Sequence, residues 1–370
     1  MSAPAERAPR VLVVGTVLGQ GVGGVRRQAQ QLLPRAAARL AREGGSLAVL
    51  EGVNGLALDL PAEVERLREP IPARPVWRRA LQEGAALRAV LARAEAEGRP
   101  FDLVHTAHHP APSIRVPLAL LVHDLRALAP GHGSLMRRQL ARLVLGVSAV
   151  RATTVLTVSE TTADELATRL LLPREELVVV PDAADHLDPL PRKVGPDAPL
   201  LVVGHLEPRK RPELVVRALA LDPGLPRVEF LGADRGVTGR RLLGLARSLG
   251  VQDRVALLGE QGDEALRRAY ASCAAVIAPS GLEGFGIVPL EAQVAGAPLA
   301  ISDIPAHREV AGDDTPRFGP APSDCVRAVR AALGESDATR EVRRERALAR
   351  FSWERSVETL VEAWRRAAGR

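Results

Sequence analysis

The chain has 370 residues, 46% hydrophobic and 25% charged, which is enough for two globular domains and excludes disordered and fibrous classes. Its net charge of +6 is spread over the whole length with an aromatic content of 2%, which argues against nucleic-acid binding through stacked bases. Two cysteines, Cys273 and Cys325, exclude a disulfide framework and a cysteine metal cage, and fit a reducing cytoplasm.

The beginning of the chain predicts neither a secretory signal nor a membrane anchor. Residues 1–10 are polar and rich in Pro and Ala, with no apolar segment behind a basic start. No stretch approaches the ~18 consecutive apolar residues of a spanning helix. We therefore expect a cytoplasmic protein.

Short Val- and Leu-rich runs alternate with helical stretches in the first half. A strand at 10–15 is followed by a glycine-rich loop and a helix from about Val25 to Glu43. Runs with little polar alternation are typical of parallel strands covered on both faces. The later strands are predicted at 47–50, 103–105, 118–122, 154–158 and 177–180, with helices at 78–97 and 161–171.

A Pro-rich stretch at 181–199 precedes a second series of the same kind. Its strands are predicted at 200–204, 228–232, 255–258, 275–278 and 298–301, and its helices at 213–221, 239–249, 263–271 and 285–296. The pattern predicts an α/β fold of two doubly wound Rossmann-like domains facing a cleft. The expected division is a first domain 1–183, a linker 184–198, a second domain 199–351, and a C-terminal helix 352–370 that can pack back on the first domain.

The loop at 19–24 contains a G-x-G-x-x-G match. One interpretation is a dinucleotide site with Glu51 as the ribose acid, but three residues separate the strand from the motif, and Glu51 lies 27 residues beyond Gly24. A loop that brings backbone amides close to a phosphate or sugar is favoured over a plain flexible turn.

The histidines between 105 and 123 allow two interpretations. His105, His108 and His109 could form a metal cluster, although neither an H-E-x-x-H motif nor a cysteine accompanies them. His123 follows the predicted strand 118–122, and ligands of α/β folds bind at the carboxyl ends of strands. A core histidine bonded to backbone is the alternative for His123.

A basic block follows the strand at 200–204. Arg209, Lys210 and Arg211 stand together before a helix, where three cations could neutralise a diphosphate. A solvated basic helix start is the alternative, but cations at a helix N-terminus oppose its dipole. The chain has only one lysine besides Lys210, which favours a need for a compact ammonium there.

A second block runs from residue 278 to 291. A strand ends, a loop of small residues turns, and a helix opens near Gly284 and Gly286, so backbone amides there could hold an anion. Glu283 lies in the loop and Glu291 about two turns into the helix, and such carboxylates can accept hydrogen bonds from sugar hydroxyls.

At these residues the sequence resembles the retaining glycosyltransferases of the GT-B fold, family four, which use nucleotide sugars. Glu283 and Glu291 match that family's pair of glutamates with seven residues between them. The resemblance implies that Glu283 contacts the transferred sugar and that Glu291 holds the ribose hydroxyls. It also places near the sugar and phosphates the backbone amides of Gly284, Phe285, Gly286 and Ile287.

The resemblance covers nearly the whole chain. Residues 204–210 resemble the family's phosphate loop, with Lys210 on the diphosphate. His205 stands where arginine is common, which weakens one phosphate contact or transfers it to Arg209. Gly23 and Gly24 resemble the glycine pair after the first strand, and His123 the histidine near the sugar.

The activity that the resemblance implies is metal-independent, retaining transfer of a hexosyl unit from a nucleoside diphosphate sugar to a glycan or lipid-linked acceptor, as in polysaccharide biosynthesis. Neither a cofactor nor a metal is expected, since no Asp-x-Asp motif is present and Arg209 and Lys210 can carry the leaving-group charge. Another GT-B activity, such as a sugar-nucleotide epimerase, and a catalytically degenerate binding subunit are the alternatives.

The segment 134–150 is a candidate for peripheral membrane contact. It combines Arg137, Arg138 and Arg142 with apolar residues elsewhere on the predicted helix. A basic amphipathic helix can lie on anionic lipid, which would place the protein at the inner face of the membrane. An ordinary helix with a solvated face is the alternative.

Overall fold

The computed structural model of the protein describes residues 7–19, 24–56, 58–129, 133–234 and 238–369. The chain divides into two compact units: unit 1 comprises Met1–Asp182 and Trp353–Arg370, and unit 2 comprises Ala183–Ser352. Each unit contains a parallel sheet connected through helices. The predicted α/β class with two Rossmann-like domains is confirmed.

The secondary structure follows the predicted alternation of strands and helices. In chain order, the strands are β1 Arg10–Val14, β2 Ser46–Glu51, β3 Glu65–Arg68, β4 Leu103–Thr106, β5 Leu118–Val122, β6 Thr154–Thr157, β7 Leu177–Val179, β8 Leu200–Val203, β9 Val228–Leu231, β10 Val255–Gly259, β11 Ala275–Ala278, β12 Leu299–Ser302 and β13 Arg317–Phe318. The helices are α1 Gly24–Arg42, α2 Val76–Ala96, α3 Leu135–Arg151, α4 Glu160–Leu170, α5 Pro212–Leu221, α6 Thr238–Ser248, α7 Asp263–Ser272, α8 Ile287–Val294, α9 Pro305–Ala311, α10 Pro322–Leu333, α11 Asp337–Arg350 and α12 Trp353–Ala367.

Among the described residues of unit 1, seven parallel strands form one sheet in the order β3-β2-β1-β4-β5-β6-β7. The central strand β1 is buried along its whole length, as expected for a strand covered on both faces. The last helix, α12, packs against α1. The indole Nε1 of Trp364 donates to Nδ1 of His105 at 3.2 Å, and the hydroxyl of Ser356 donates to the carbonyl of Pro181 at 2.7 Å.

Strand β3 was not predicted, because its sequence Glu-Arg-Leu-Arg is polar and three of its four residues are exposed at the sheet edge. Arg66 and Arg68 of this strand form ion pairs with Glu51, whose side chain is completely buried at the end of β2. Glu51 is therefore committed to an ion-pair network within unit 1.

The described part of unit 2 holds six parallel strands in the order β10-β9-β8-β11-β12-β13. Elements β13, α9, α10 and α11 were not predicted. Strand β13 is only two residues long, and α11 is a polar helix that buries little besides Arg343 and Ala347, so neither carries a clear hydrophobic pattern. Helix α8 is shorter than predicted, because Gly286 adopts a left-handed conformation, with φ of 101°, just before it.

The strand order reverses at one position in each sheet. In unit 2 the chain turns from β8 outward to β9 and β10, then returns to pair β11 with β8. Loops at the carboxyl ends of β8 and β11 therefore meet, which is where α/β sheets bind ligands. In unit 1 the same reversal lies between β1 and β4. Of the helices in the described ranges, none is long and apolar enough to cross a membrane.

Candidate functional site

A cavity opens in unit 2 where the loops after β8 and β11 meet. Although separated by more than 70 residues along the chain, the two predicted blocks both contribute to its wall. The lining includes Gly204, His205, Lys210, Ser280, Glu283, Gly286, Ile287 and His307.

A charged network connects the two blocks at this cavity, which Lys210 and Glu283 line and Arg209 adjoins. The carboxylate of Glu283 accepts from Lys210 Nζ on Oε1 and from Arg209 Nη1 on Oε2, the latter at 3.0 Å. The hydroxyl of Ser280 donates to Oε1 at 2.7 Å. Arg209 also donates from Nε to Glu207 at 2.9 Å. Two cations are thus held side by side, each paired with an internal carboxylate.

The protonation state of Glu283 follows from this network. Burial alone would raise the pKa of Glu283, but Lys210 and Arg209 outweigh it and lower the pKa to about 2. The same pairing with Glu283 and Glu207 raises the pKa of Arg209 against the effect of its burial. At neutral pH Glu283 is an ionised carboxylate, which can accept hydrogen bonds but cannot donate a proton.

Two glycines lie beside the cationic side chains of this site. Gly204 follows β8 with φ of 124°, and a Cβ atom there would lie 3.5 Å from Nζ of Lys210. A Cβ on Gly281 would lie 2.4 Å from Nε of Arg211, which any larger residue would displace. The half-buried Arg211 therefore lies against the loop after β11, a contact that the sequence did not reveal.

The backbone segment that opens α8 contains the residues whose amides are predicted to contact the donor. Gly286 and Ile287 line the cavity. Phe285 is buried and meets Phe351 edge-to-face, with ring centroids 5.5 Å apart, which anchors the segment after Gly284. A helix N-terminus at a cavity is suited to an anion, because its first amides lack helical partners. The contacts of these amides with a donor stay a prediction.

Glu291 lies on α8 and is completely buried, where Tyr270 donates its hydroxyl to Oε2 at 2.8 Å. A buried carboxylate held in this way is fixed in orientation. Its predicted role, hydrogen bonding to ribose hydroxyls, stays a prediction.

Unit 1 holds the remaining predicted residues. His123 follows β5 and lines a mostly apolar cavity with His105 and Gln28. Its Nε2 atom is buried and has no hydrogen-bond partner within the described ranges. Gly24 begins α1 with open space around its Cβ position, and Gly23 lies outside the described residues.

The interpretation of His105, His108 and His109 as a metal cluster finds no support in their contacts. Nε2 of His108 lies 3.0 Å from Oε1 of Glu83, which is buried on α2 and also accepts from the hydroxyl of Thr16 at 2.6 Å. Nowhere in the described ranges do three or more metal-binding side chains converge. Glu83 was not predicted, since a glutamate in a helix ordinarily faces solvent.

Acidification from pH 7 to pH 5 is expected to destabilise the fold. Burial lowers the pKa of His105 to about 3 and those of His123 and His307 to about 4, from an ordinary 6.5. Below pH 6.5 the unfolded chain binds protons that the folded chain does not, so each histidine removes up to ~1.4 kcal/mol per pH unit from the free energy of unfolding. Calorimetric melting at pH 7, 6 and 5 measures this loss, and a constant melting temperature would contradict it.

Comparison with known proteins identifies the family. The family model described as "Glycosyl transferases group 1" matches residues 191–347, and the family model described as "Glycosyltransferase Family 4" matches residues 22–186. A D-inositol 3-phosphate glycosyltransferase of Actinosynnema mirum is 32% identical over 326 residues, covering 75% of this chain and 76% of that protein. One of the same name from Geodermatophilus obscurus is 33% identical over 327 residues, covering 76% and 71%.

Solved structures agree in fold. Sucrose-phosphate synthase from Thermosynechococcus elongatus matches with a TM-score of 0.79 at 18% identity, covering 97% of this chain and 98% of that one. Anabaena HepE in complex with UDP-glucose matches with a TM-score of 0.72 at 19% identity, covering 96% and 98%. The predicted resemblance is confirmed: the chain belongs to the group 1, family-four glycosyltransferases, and it is an enzyme that transfers sugar from a nucleotide sugar.

Proposed function

We propose that the enzyme transfers a hexosyl unit from a nucleoside diphosphate sugar to an acceptor hydroxyl with retention of configuration and without a metal ion. The observation that carries the proposal is that Lys210 and Arg209 lie side by side after the carboxyl end of β8, both bound to Glu283 and next to the start of α8. Two fixed cations beside a helix N-terminus match the charge of a diphosphate.

The chemistry assigned to these groups is electrostatic. As the bond between the sugar and the diphosphate breaks, negative charge grows on the leaving oxygen, and Lys210 and Arg209 stabilise it without reorganising. The acceptor hydroxyl attacks the same face of the sugar as the bond to the diphosphate breaks, and its proton passes to the departing phosphate oxygen, so no protein nucleophile is needed. Glu283, ionised and acceptor-only, orients the sugar through its hydroxyls.

The acceptor is proposed to be a glycan or a lipid-linked glycan. The relatives named D-inositol 3-phosphate glycosyltransferase favour a phosphorylated cyclitol as a second candidate. The two classes differ in size and charge, so one acceptor panel separates them.

The test begins with calorimetric binding of UDP, GDP, ADP and their glucose and mannose conjugates. The conjugate that binds is then incubated with free glycans, lipid-linked glycans or inositol 3-phosphate, and the product is analysed by mass spectrometry and by NMR of the anomeric proton. Retention with chelator present supports the proposal. Inversion, or activity lost on chelation, contradicts it.

Two other outcomes select the alternatives. Conversion of the donor sugar to its epimer without an acceptor would indicate an epimerase. Absence of binding to every nucleotide would indicate a catalytically degenerate subunit.

We also propose that α3 lies on an anionic membrane surface. Five apolar side chains spaced four and three residues apart form one stripe on its outer face, each between 40% and 80% exposed. We call this set the α3 stripe: Met136, Leu140, Leu143, Val147 and Val150. The opposite face packs into the core through Leu145, Ser148 and Ala149.

The charge of α3 selects the occupant. The helix carries Arg137, Arg138, Arg142 and Arg151 and contains no acidic residue. A second copy of this helix would bring like charges together, whereas anionic headgroups complement them and the stripe can enter the acyl boundary. Helix α2 begins with a smaller group of exposed apolar residues, Val76, Trp77 and Leu81. Because α2 and α3 each follow a strand of the same parallel sheet, both helices begin at its carboxyl edge.

Vesicle binding is expected to depend on both features of α3. The double change Leu140→Gln and Leu143→Gln should lower binding to phosphatidylglycerol-containing vesicles by at least about tenfold. The change Arg137→Gln with Arg142→Gln should weaken binding at low salt, by ~1 kcal/mol per arginine. Co-sedimentation measures both, with pure phosphatidylcholine vesicles for comparison.

The matched control is Val342→Gln, which alters an exposed apolar residue of unit 2 and should leave vesicle binding unchanged. Equal binding of the leucine variant contradicts the proposal. A lipid-independent dimer that the same variant dissociates would assign the stripe to an interface between copies instead.

A further inference from the structure

His307 is a buried histidine in the cavity wall with no role assigned so far. It lies on α9, immediately after β12, and only 1% of its surface is exposed. Its ring edge packs against the backbone that opens α8, since a Cβ on Gly286 would lie 3.2 Å from Cδ2 of His307. Lys210 and Glu283 line the same cavity.

The hydrogen bonds of Ser302 fix the tautomer of this ring. The hydroxyl of Ser302 donates its single proton to the carbonyl of Ser280 at 2.5 Å. Nδ1 of His307 lies 3.0 Å from that hydroxyl oxygen and 3.2 Å from the carbonyl oxygen of Ser302. Both oxygens can then only accept, so Nδ1 carries the ring proton and donates to them.

The second ring nitrogen, Nε2, is therefore a lone-pair acceptor. Burial lowers the pKa of His307 to about 4, with Lys210 adding to this effect and Glu283 opposing it, so the ring is neutral at physiological pH. No group in the described ranges donates to Nε2. A neutral acceptor does not attract a phosphate oxygen, which is itself an acceptor, but it does accept from a hydroxyl.

The polar groups at the cavity are thus of two kinds, hydrogen-bond donors and hydrogen-bond acceptors. Lys210, Arg209 and the start of α8 are donors suited to phosphate, whereas Glu283 and Nε2 of His307 are acceptors suited to hydroxyls. We propose that Nε2 of His307 accepts a hydrogen bond from a hydroxyl of the transferred sugar, with Ser302 holding the ring in the tautomer that this requires. The inference rests on the proposed function, because it assumes a nucleotide sugar in this cavity.

The test compares each nucleoside diphosphate with its sugar conjugate. The parent chain is first tested with UDP-glucose, GDP-mannose and ADP-glucose. For the conjugate that it binds, we expect His307→Ala to weaken binding by about tenfold, which corresponds to the loss of one hydrogen bond. Binding of the matching UDP, GDP or ADP should change less than about twofold. His307→Gln, which can place an amide oxygen near the position of Nε2, should recover part of the loss.

A spectroscopic readout separates this role from a packing role. Histidine ring ¹H–¹⁵N correlation spectra of the parent chain should show His307 protonated at Nδ1. Adding the conjugate should shift the Nε2 resonance, and adding the nucleoside diphosphate alone should not. Ser302→Ala should leave both tautomers populated and give an intermediate affinity for the conjugate.

The failure of this inference differs from the failure of the proposed function. If the parent chain binds no conjugate, both are overturned. If it binds a conjugate and His307→Ala weakens nucleoside diphosphate and conjugate equally, or if the ring is protonated at Nε2, only the role of His307 is wrong. Circular dichroism of His307→Ala and His307→Gln confirms that the compared proteins are folded.

Discussion

Replacing Glu283 by Gln is expected to lower the rate of sugar transfer by about 10²- to 10³-fold and to tighten binding of the nucleoside diphosphate by about three- to tenfold. The carboxylate now neutralises Lys210 and Arg209 and competes with a diphosphate for both. Glutamine fills the same space without the charge, so the cations become available to phosphate while the acceptor for the sugar is weakened. Product formation and calorimetric binding measure the two effects separately.

Glu207→Gln is the matched control for this prediction. Glu207 accepts from Nε of Arg209 at 2.9 Å, whereas Glu283 pairs with both Arg209 and Lys210, so replacing Glu207 should raise nucleotide affinity less than replacing Glu283. Transfer should stay within severalfold of the parent rate. Weaker nucleotide binding by Glu283→Gln would show that Glu283 does not compete with the diphosphate for Lys210 and Arg209. Transfer at the parent rate would show that Glu283 does not orient the donor sugar.

Replacing Lys210 by Ala is expected to weaken binding of the nucleoside diphosphate by about 10- to 100-fold, as for the loss of a charge-assisted hydrogen bond. The catalytic efficiency kcat/KM should fall further, because the ammonium also stabilises the charge of the leaving group. The change removes the larger of the two cationic influences on Glu283, so the pKa of that carboxyl should rise. Titration calorimetry and steady-state kinetics measure the first two effects.

Lys193→Ala provides the control, since Lys193 is the other lysine of the chain and is exposed. It should bind and transfer like the parent. Lys210→Arg should recover binding only in part, because a planar, delocalised guanidinium does not replace a compact ammonium at the same position. Unchanged nucleotide affinity in Lys210→Ala would remove the cavity from consideration as the phosphate site.

Much of the fold could be predicted because buried parallel strands have a strong local signature. Strands β5 and β11 have the predicted bounds, and most others differ by one or two residues. Three of the unpredicted elements lack a clear hydrophobic pattern: the polar edge strand β3, the two-residue β13 and the polar helix α11. The helices α9 and α10 were missed as well. Strand β3, for example, is held by the ion pairs of its arginines with Glu51, which a local hydrophobic pattern does not reveal.

The candidate site divides in the same way. Lys210 and Glu283 could be selected from the sequence, because rare lysine usage and a glycine-flanked glutamate at strand ends are local features. Ser280 stood three residues before Glu283 in the same block, yet its hydrogen bond to Glu283 depends on the turn of the loop. Tyr270 and His307 gave no comparable signal, since their partners lie on other elements.

By itself, the sequence determined the alternation of strands and helices, the two-domain α/β class, the family, and the residue types able to meet a diphosphate and a sugar. The tertiary structure decided which of them act together. Pairing of β8 with β11 brings Lys210 onto Glu283 across more than 70 residues, and the packing of α9 after β12 fixes the proton of His307. The physical reason is that hydrogen bonds and ion pairs depend on distances of a few ångströms, which strand order sets and local sequence does not.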